Sequence, residues 1–363
     1  MRKTFEAALD QCIIYGMVPT IDLPSFRARL AALAERGIYV GTSSWKYPGW
    51  LGQIYSPSRY EYRGKFANTR FERECLREYA ETFKTVCFDG AYYTFQAESK
   101  VREMADQVPD DFRFAFKVTD AITIKRFPAL PRFGEHGGKV NEQFLNAPLF
   151  VERFLQPLES IRSKVGPVIF EFSKFYSSDY VHGADFIADL DRFFGQLPKG
   201  WLFSVELRNR KWLGPEYLGT LQKHGVAHVY NNWTDMPPVA EQLGIVGDQR
   251  VDTTSVARFL LKPGRKYEEA VTKFEPYTHT QEVNEEGRSA LAALIERGWL
   301  KLSRDGTFLY INNRLEGNAL MTVLGVLDRL KFLPISSVPP PTIPPTAQMP
   351  PPKVDAPQLD LGL

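Results

Sequence analysis

Two hydrophobic rhythms alternate along the middle of the chain. Short runs rich in β-branched and aromatic residues recur, each separated from the next by enough sequence to hold a helix. They are IYVGTSS (38–44), TVCFDG (85–90), FRFAFKV (112–118), PVIFEF (167–172), LFSVELR (202–208), VAHVYNN (226–232), VARFLL (256–261) and FLYINN (308–313). Several are almost continuously apolar, as a parallel strand covered on both faces must be. Between them lie stretches with apolar residues at helical spacing, among them 71–83, 150–163, 184–197 and 320–330. Eight strands alternating with helices predict an α/β fold of the TIM-type (β/α)8 barrel class. An open doubly wound sheet uses the same units, but a dinucleotide-binding one needs GxGxxG after its first strand. Here that strand runs into SSWKYPGW instead.

The ends of the chain read differently. Residues 1–37 carry helical spacing (Phe5, Leu9, then Phe26, Leu30, Leu33) and predict two helices broken near Pro19 to Pro24, a helical N-terminal extension to a barrel over 38–333. Residues 334–363 hold repeated proline and few large apolar residues, which predicts a polyproline-type or disordered tail. A plain tail is the simpler reading, and docking on a proline-reading protein partner is the alternative. Two connections are long for a barrel, 119–146 and 263–288. The first carries Lys125, Arg126, Arg132, His136 and Lys139, and reads either as a lid that contacts an anion or as a solvated basic loop.

Chemistry in a barrel sits where strands end. Those ends deliver Ser43, Ser44 and Trp45; Asp89; Lys117 and Thr119; Glu171; Glu206 and Arg208; Asn231 and Asn232; Arg258; and Asn312 and Asn313. Polar residues also gather there simply because burial stops. Lys117, Glu171, Glu206 and Arg258, however, lie inside apolar runs, where a charge is costly unless paired. A mutually paired network of Glu171, Glu206, Arg208, Arg258 and Lys117 satisfies that demand and builds a polar pocket. Glu171 and Glu206, on neighbouring strands, also suit general acid/base chemistry, with Asp89 as a third candidate; structural ion pairing with Arg208 and Arg258 is the preferred reading. Trp45, Tyr47, Trp50, Tyr92, Tyr93 and Trp212 offer a stacking wall, although ordinary packing accounts for most of them.

Composition narrows the functions further. Lys and Arg total 45 against 43 Asp and Glu, so no global field advertises a nucleic-acid or membrane partner. No apolar window reaches the roughly 18 residues that span a bilayer. Glu6 and Asp10 interrupt any signal-peptide core, and the three cysteines lack a CxxC, so the chain reads as cytoplasmic and reduced. There is no HExxH, P-loop or GxSxG, and His224 and His228 are separated by Gly225, so neither a metal nor a cofactor is expected. Cys87 is placed for a nucleophile but lacks a histidine partner in the sequence.

Taken together, GTSSWKYPGW, TVCFDGAYYTF, FRFAFKV followed by AIT, FSVELRNRKW and YINNRLEGNAL resemble the domain-of-unknown-function 72 (YecE-like) family across about 38–330. The resemblance implies one TIM-type barrel with a polar pocket at the C-terminal face and assigns no activity. It points to Ser43, Trp45, Tyr47, Trp50, Tyr93, Lys117, Glu206, Arg208, Trp212, Arg258, Asn312 and Asn313 as pocket residues. Three departures stand out: Cys87–Phe88–Asp89 where the family has Glu–x–Asn, Thr123–Ile124 where it has Thr–His, and Glu171–Phe172–Ser173–Lys174 where it has Gln–hydrophobic–Pro–Pro. If the family is enzymatic, the missing Glu and His imply altered or lost activity in this member; Glu171 would partly restore the missing negative charge.

The reading that follows is a barrel binding an anionic small ligand or phosphodiester. Arg258, Arg208 and Lys117 meet anionic oxygens; Asn231, Asn312 and Asn313, with Ser43, Trp45, Tyr47 and Tyr93, orient the ligand. Glu206 or Glu171 serves as base if hydrolysis occurs. The alternatives are a nucleic-acid-binding, endonuclease-IV-like protein and a non-catalytic scaffold.

Overall fold

Each β-rich run is a strand, and each reaches the next through a helical segment. The computed structural model describes residues 21–247, 254–301 and 306–332. Its barrel strands are β1 (Ile38–Thr42), β2 (Thr85–Phe88), β3 (Arg113–Lys117), β4 (Val165–Phe172), β5 (Phe203–Leu207), β6 (Ala227–Asn231), β7 (Ser255–Phe259) and β8 (Thr307–Ile311). All pair in parallel in chain order, and β8 returns to β1, closing an eight-stranded barrel. The β1–β2 seam is tight: a Cβ on Gly41 would lie 2.2 Å from the Thr85 carbonyl oxygen, so glycine is what lets the strands close.

Alternation sorts the side chains into two cores. Cys87, Ala115, Ile169, Ala227, Val229, Val256, Phe308 and Tyr310 form a small cluster at alternate strand positions, the filling of the barrel. The intervening residues, such as Val86, Phe114, Phe116, Phe170, Val205 and Leu309, join the large outer core with the helices. Between Phe114 and Phe116 the β3–β4 register shifts, opposite Gly166 and Pro167. Pro167 has no N–H to give a ladder, so a bulge forms there. Beyond it Lys117 pairs with Ile169, and Glu171 with Glu206.

The helix α1 (Leu23–Glu35) starts at Asp22, whose carboxylate accepts from the Ser25 N–H, with Pro24 in its first turn. It buries Phe26, Leu30 and Leu33. The earlier helix expected over the first twenty residues and the proline-rich tail lie outside the described residues. The stretches expected over 71–83, 184–197 and 320–330 are α2 (Asn68–Tyr79), a helix over Gly183–Gly195 and one over Ala319–Leu327.

One expectation is corrected, and one long connection gains structure. The connection 263–288 holds a helix over Tyr267–Phe274 and the start of another over Glu285–Lys301. Ala270 and Phe274 are that shorter helix's buried stripe, a helical pattern present in the sequence. The expected helix over 150–163 runs over 147–159 and widens into a π turn at Val151–Leu155. Pro157 has no N–H for the Arg153 carbonyl, and the widened turn absorbs the mismatch. Among the described residues, no helix is long and apolar enough to cross a membrane.

Candidate functional site

Six charged side chains from five strand ends meet at the C-terminal mouth of the barrel. Glu171 on β4 and Glu206 on β5 are register partners. Arg258, from β7 across the barrel, donates from Nη1 to Glu171 Oε2 at 2.8 Å and to Glu206 Oε2 at 2.6 Å, and from Nη2 to Asp89 Oδ1 at 2.9 Å. Arg208, one residue past β5, donates from Nε and Nη2 to Glu206 Oε1 at 3.0 and 2.8 Å and reaches Glu171 Oε2 at 2.8 Å. Lys117 Nζ, at the end of β3, lies 2.7 Å from Glu171 Oε2 and 3.7 Å above the Tyr92 ring. Three carboxylates thus balance three cations, and all but Asp89 are nearly excluded from water.

The electrostatics follow from that neutrality. Burial pushes the Glu171 carboxyl up, but Arg208, Lys117 and Arg258 together hold it far below the ordinary glutamate range. Burial works against the Arg258 charge, and Glu206 and Asp89 more than offset it. The Cys87 thiol is fully buried and pushed upward by burial and by Asp89, so it stays protonated rather than becoming a thiolate. Among the described residues, no group of three or more His, Cys, Asp or Glu is placed to hold a metal ion.

The remaining residues singled out from the sequence are spread around this block. Ser43 and Trp45 are buried, with Ser43 Oγ and Trp45 Nε1 lacking a partner. Tyr47 packs on Trp50 and Tyr277, with ring centroids 4.8 and 5.7 Å away. Tyr93 is exposed, with the Arg132 guanidinium 5.2 Å from its ring. Trp212 lies against Phe175 and Phe186, away from the charged block's own contacts. The amides are committed to backbone. Asn231 donates to the Leu207 and Val229 carbonyls and accepts from the Trp233 N–H. Asn312 accepts from the Arg314 N–H, and Asn313 from the Ala319 N–H; Asn313 Nδ2 and Arg258 Nε have no partner.

Beside the block, a cavity of about 550 Å³ opens among the loops that follow β3, β4, β5 and β6. Arg208 belongs to both, joining the buried network to the cavity wall. The wall also carries Lys125, Arg126 and Lys174, set against Asp179 and Asp235, and the rings of Phe127, Phe175, Tyr176 and Trp233. The Arg208 guanidinium lies 3.7 Å from the centre of the Trp233 ring. Lys174 pairs with Asp235 at 2.9 Å, and Arg126 approaches Asp179 at 3.4 Å. The loop 119–146 thus splits: Lys125 and Arg126 line the cavity, while Arg132 pairs with Asp120 at 3.2 Å. Tyr176, Trp233 and Asp235 escaped the sequence reading because they stand beyond the strand ends, where no periodicity marks them.

Comparison with known proteins agrees with this architecture. The model of a family described as protein of unknown function DUF72 matches residues 39–345. A solved DUF72 family protein of Enterococcus faecalis superposes with a TM-score of 0.55 at 19% identity, covering 81% of this chain and 95% of that one. Another, from Thermotoga maritima, gives 0.51 at 19% identity, covering 81% and 98%. No curated protein matches the sequence.

Proposed function

The chain belongs to the DUF72 family, and we propose that it binds an anionic small molecule in the cavity beside Arg208. The observation that carries this reading is the shared role of Arg208. Glu206 and Glu171 hold its guanidinium from behind, and it forms part of a cavity wall in which four cationic side chains face two acidic ones. A guanidinium fixed in this way loses little freedom when it takes up an anionic oxygen. The cavity falls within the range usual for small-ligand sites and opens on the face where barrels place them.

In this reading Glu171, Glu206 and Asp89 are counter-charges first. A general base needs a lone pair not already engaged, and Glu171 and Glu206 each accept from at least two cationic side chains. Asp89 alone retains an exposed edge, at 33%, and is the acid that hydrolytic chemistry would use. A nucleic-acid partner needs cations spread along a groove; here they converge on one cavity.

Calorimetric titration with inorganic pyrophosphate and ribose 5-phosphate tests the proposal. Saturable binding is expected, weakened roughly fivefold or more when Arg126 and Lys174 are both replaced by alanine. Absence of saturable binding for both probes, or unchanged affinity in the double variant, overturns it.

A further inference from the structure

The cavity offers more room and more aromatic wall than a bare inorganic anion would fill. Four of its lining residues carry rings, and two of these are already covered: Phe127 packs on Phe133 and His136, and Phe175 on Phe172, Phe186 and Trp212. Trp233 is covered in part: the Arg208 guanidinium lies 3.7 Å from its ring centre, and the ring packs against the core. Tyr176 is not covered: it is 65% exposed, and among the described residues no other ring lies against it.

Leaving the Tyr176 ring bare in a cavity wall with Arg208 and Lys174 wastes contact area unless something flat covers it. From this arrangement we infer that the ligand is an aromatic anion, a planar ring joined to a phosphate or carboxylate, with the ring covering Tyr176 and the anionic group reaching Arg208 and Lys174. The inference rests on the anion reading above and adds the chemical class of ligand. Tyr176 suits the role of platform: its backbone N–H is held by Asp179 Oδ2 at 3.0 Å, so the loop is tied while the side chain remains open.

The test compares adenosine 5′-monophosphate with ribose 5-phosphate and with pyrophosphate on the full chain. Base–aromatic stacking predicts that the nucleotide binds roughly tenfold more tightly than ribose 5-phosphate. Tyr176→Ala should remove most of that advantage, while ribose 5-phosphate binding stays within about twofold. Tyr176 is exposed, so its replacement leaves the fold intact. Equal affinity for nucleotide and sugar phosphate, or an advantage that survives the substitution, overturns the aromatic class and leaves the anion site standing. Failure of both pyrophosphate and ribose 5-phosphate to bind overturns the anion site, and the aromatic class falls with it.

Discussion

Glu171 and Glu206 stand directly opposite one another on adjacent parallel strands, and a single guanidinium nitrogen of Arg258 binds both carboxylates. Two buried like charges in register would repel strongly in a low-dielectric interior. The arrangement holds because Arg258 crosses from β7 to lie between them and Arg208 bonds both from the other side. The network is thus a closed electrostatic unit, and its parts depend on one another.

That dependence predicts the effect of opening the unit. Arg258→Met removes the bridge and leaves the two carboxylates with Arg208 and Lys117 alone, which should cost about 3–5 kcal/mol of folding stability. Glu206→Gln in the same background should recover part of the loss, because it removes the repulsion that Arg258 had offset. Urea unfolding of the two single variants and the double variant measures the coupling. Additive losses would mean that the unit is not closed.

Acid should undo the same unit. The folded-state Glu171 carboxyl is depressed below its ordinary value of 4.5 by Arg208, Lys117 and Arg258. A depressed carboxylate contributes stability that is complete above its unfolded-state value and is lost as pH falls towards its folded-state value. The urea midpoint is therefore expected to hold as pH drops to about 5 and then fall steadily below 4.5. Glu171→Gln, less stable at neutral pH, should show a shallower decline over that acid range. Parallel acid limbs for the two proteins would contradict the assigned cause.

Much of this was legible in the chain, and the physics says which part. Lys117, Glu171, Glu206 and Arg258 betray themselves because a charge inside a strand's apolar run has to find a partner. The barrel follows from eight such runs and from the missing phosphate-binding turn after the first. The helix over Tyr267–Phe274 was also present as spacing, masked by the glycine and prolines around it. The cavity wall was harder. Tyr176, Trp233 and Asp235 stand on loops whose paths are set by closure of the barrel. Nothing local distinguishes an aromatic residue that lines a cavity from one that merely caps a turn. The amides Asn231, Asn312 and Asn313 show the converse: strand-end polarity marked them, yet each serves neighbouring backbone groups.

Asp89 separates the counter-charge reading from the catalytic one. It is bound by Arg258 at 2.9 Å and keeps a partly exposed face, so Asp89→Asn removes one negative charge from a balanced block without emptying a buried position. As a counter-charge, its loss leaves the mouth more positive, and pyrophosphate should bind more tightly by a factor on the order of two at low ionic strength. The gain should fade as salt is raised, because it is carried by long-range attraction rather than by contact. Titration at low and at high salt reads both effects. Unchanged or weaker binding at low salt would contradict the counter-charge role, and the balance among Asp89, Arg258 and the two glutamates would then not be what tunes the cavity.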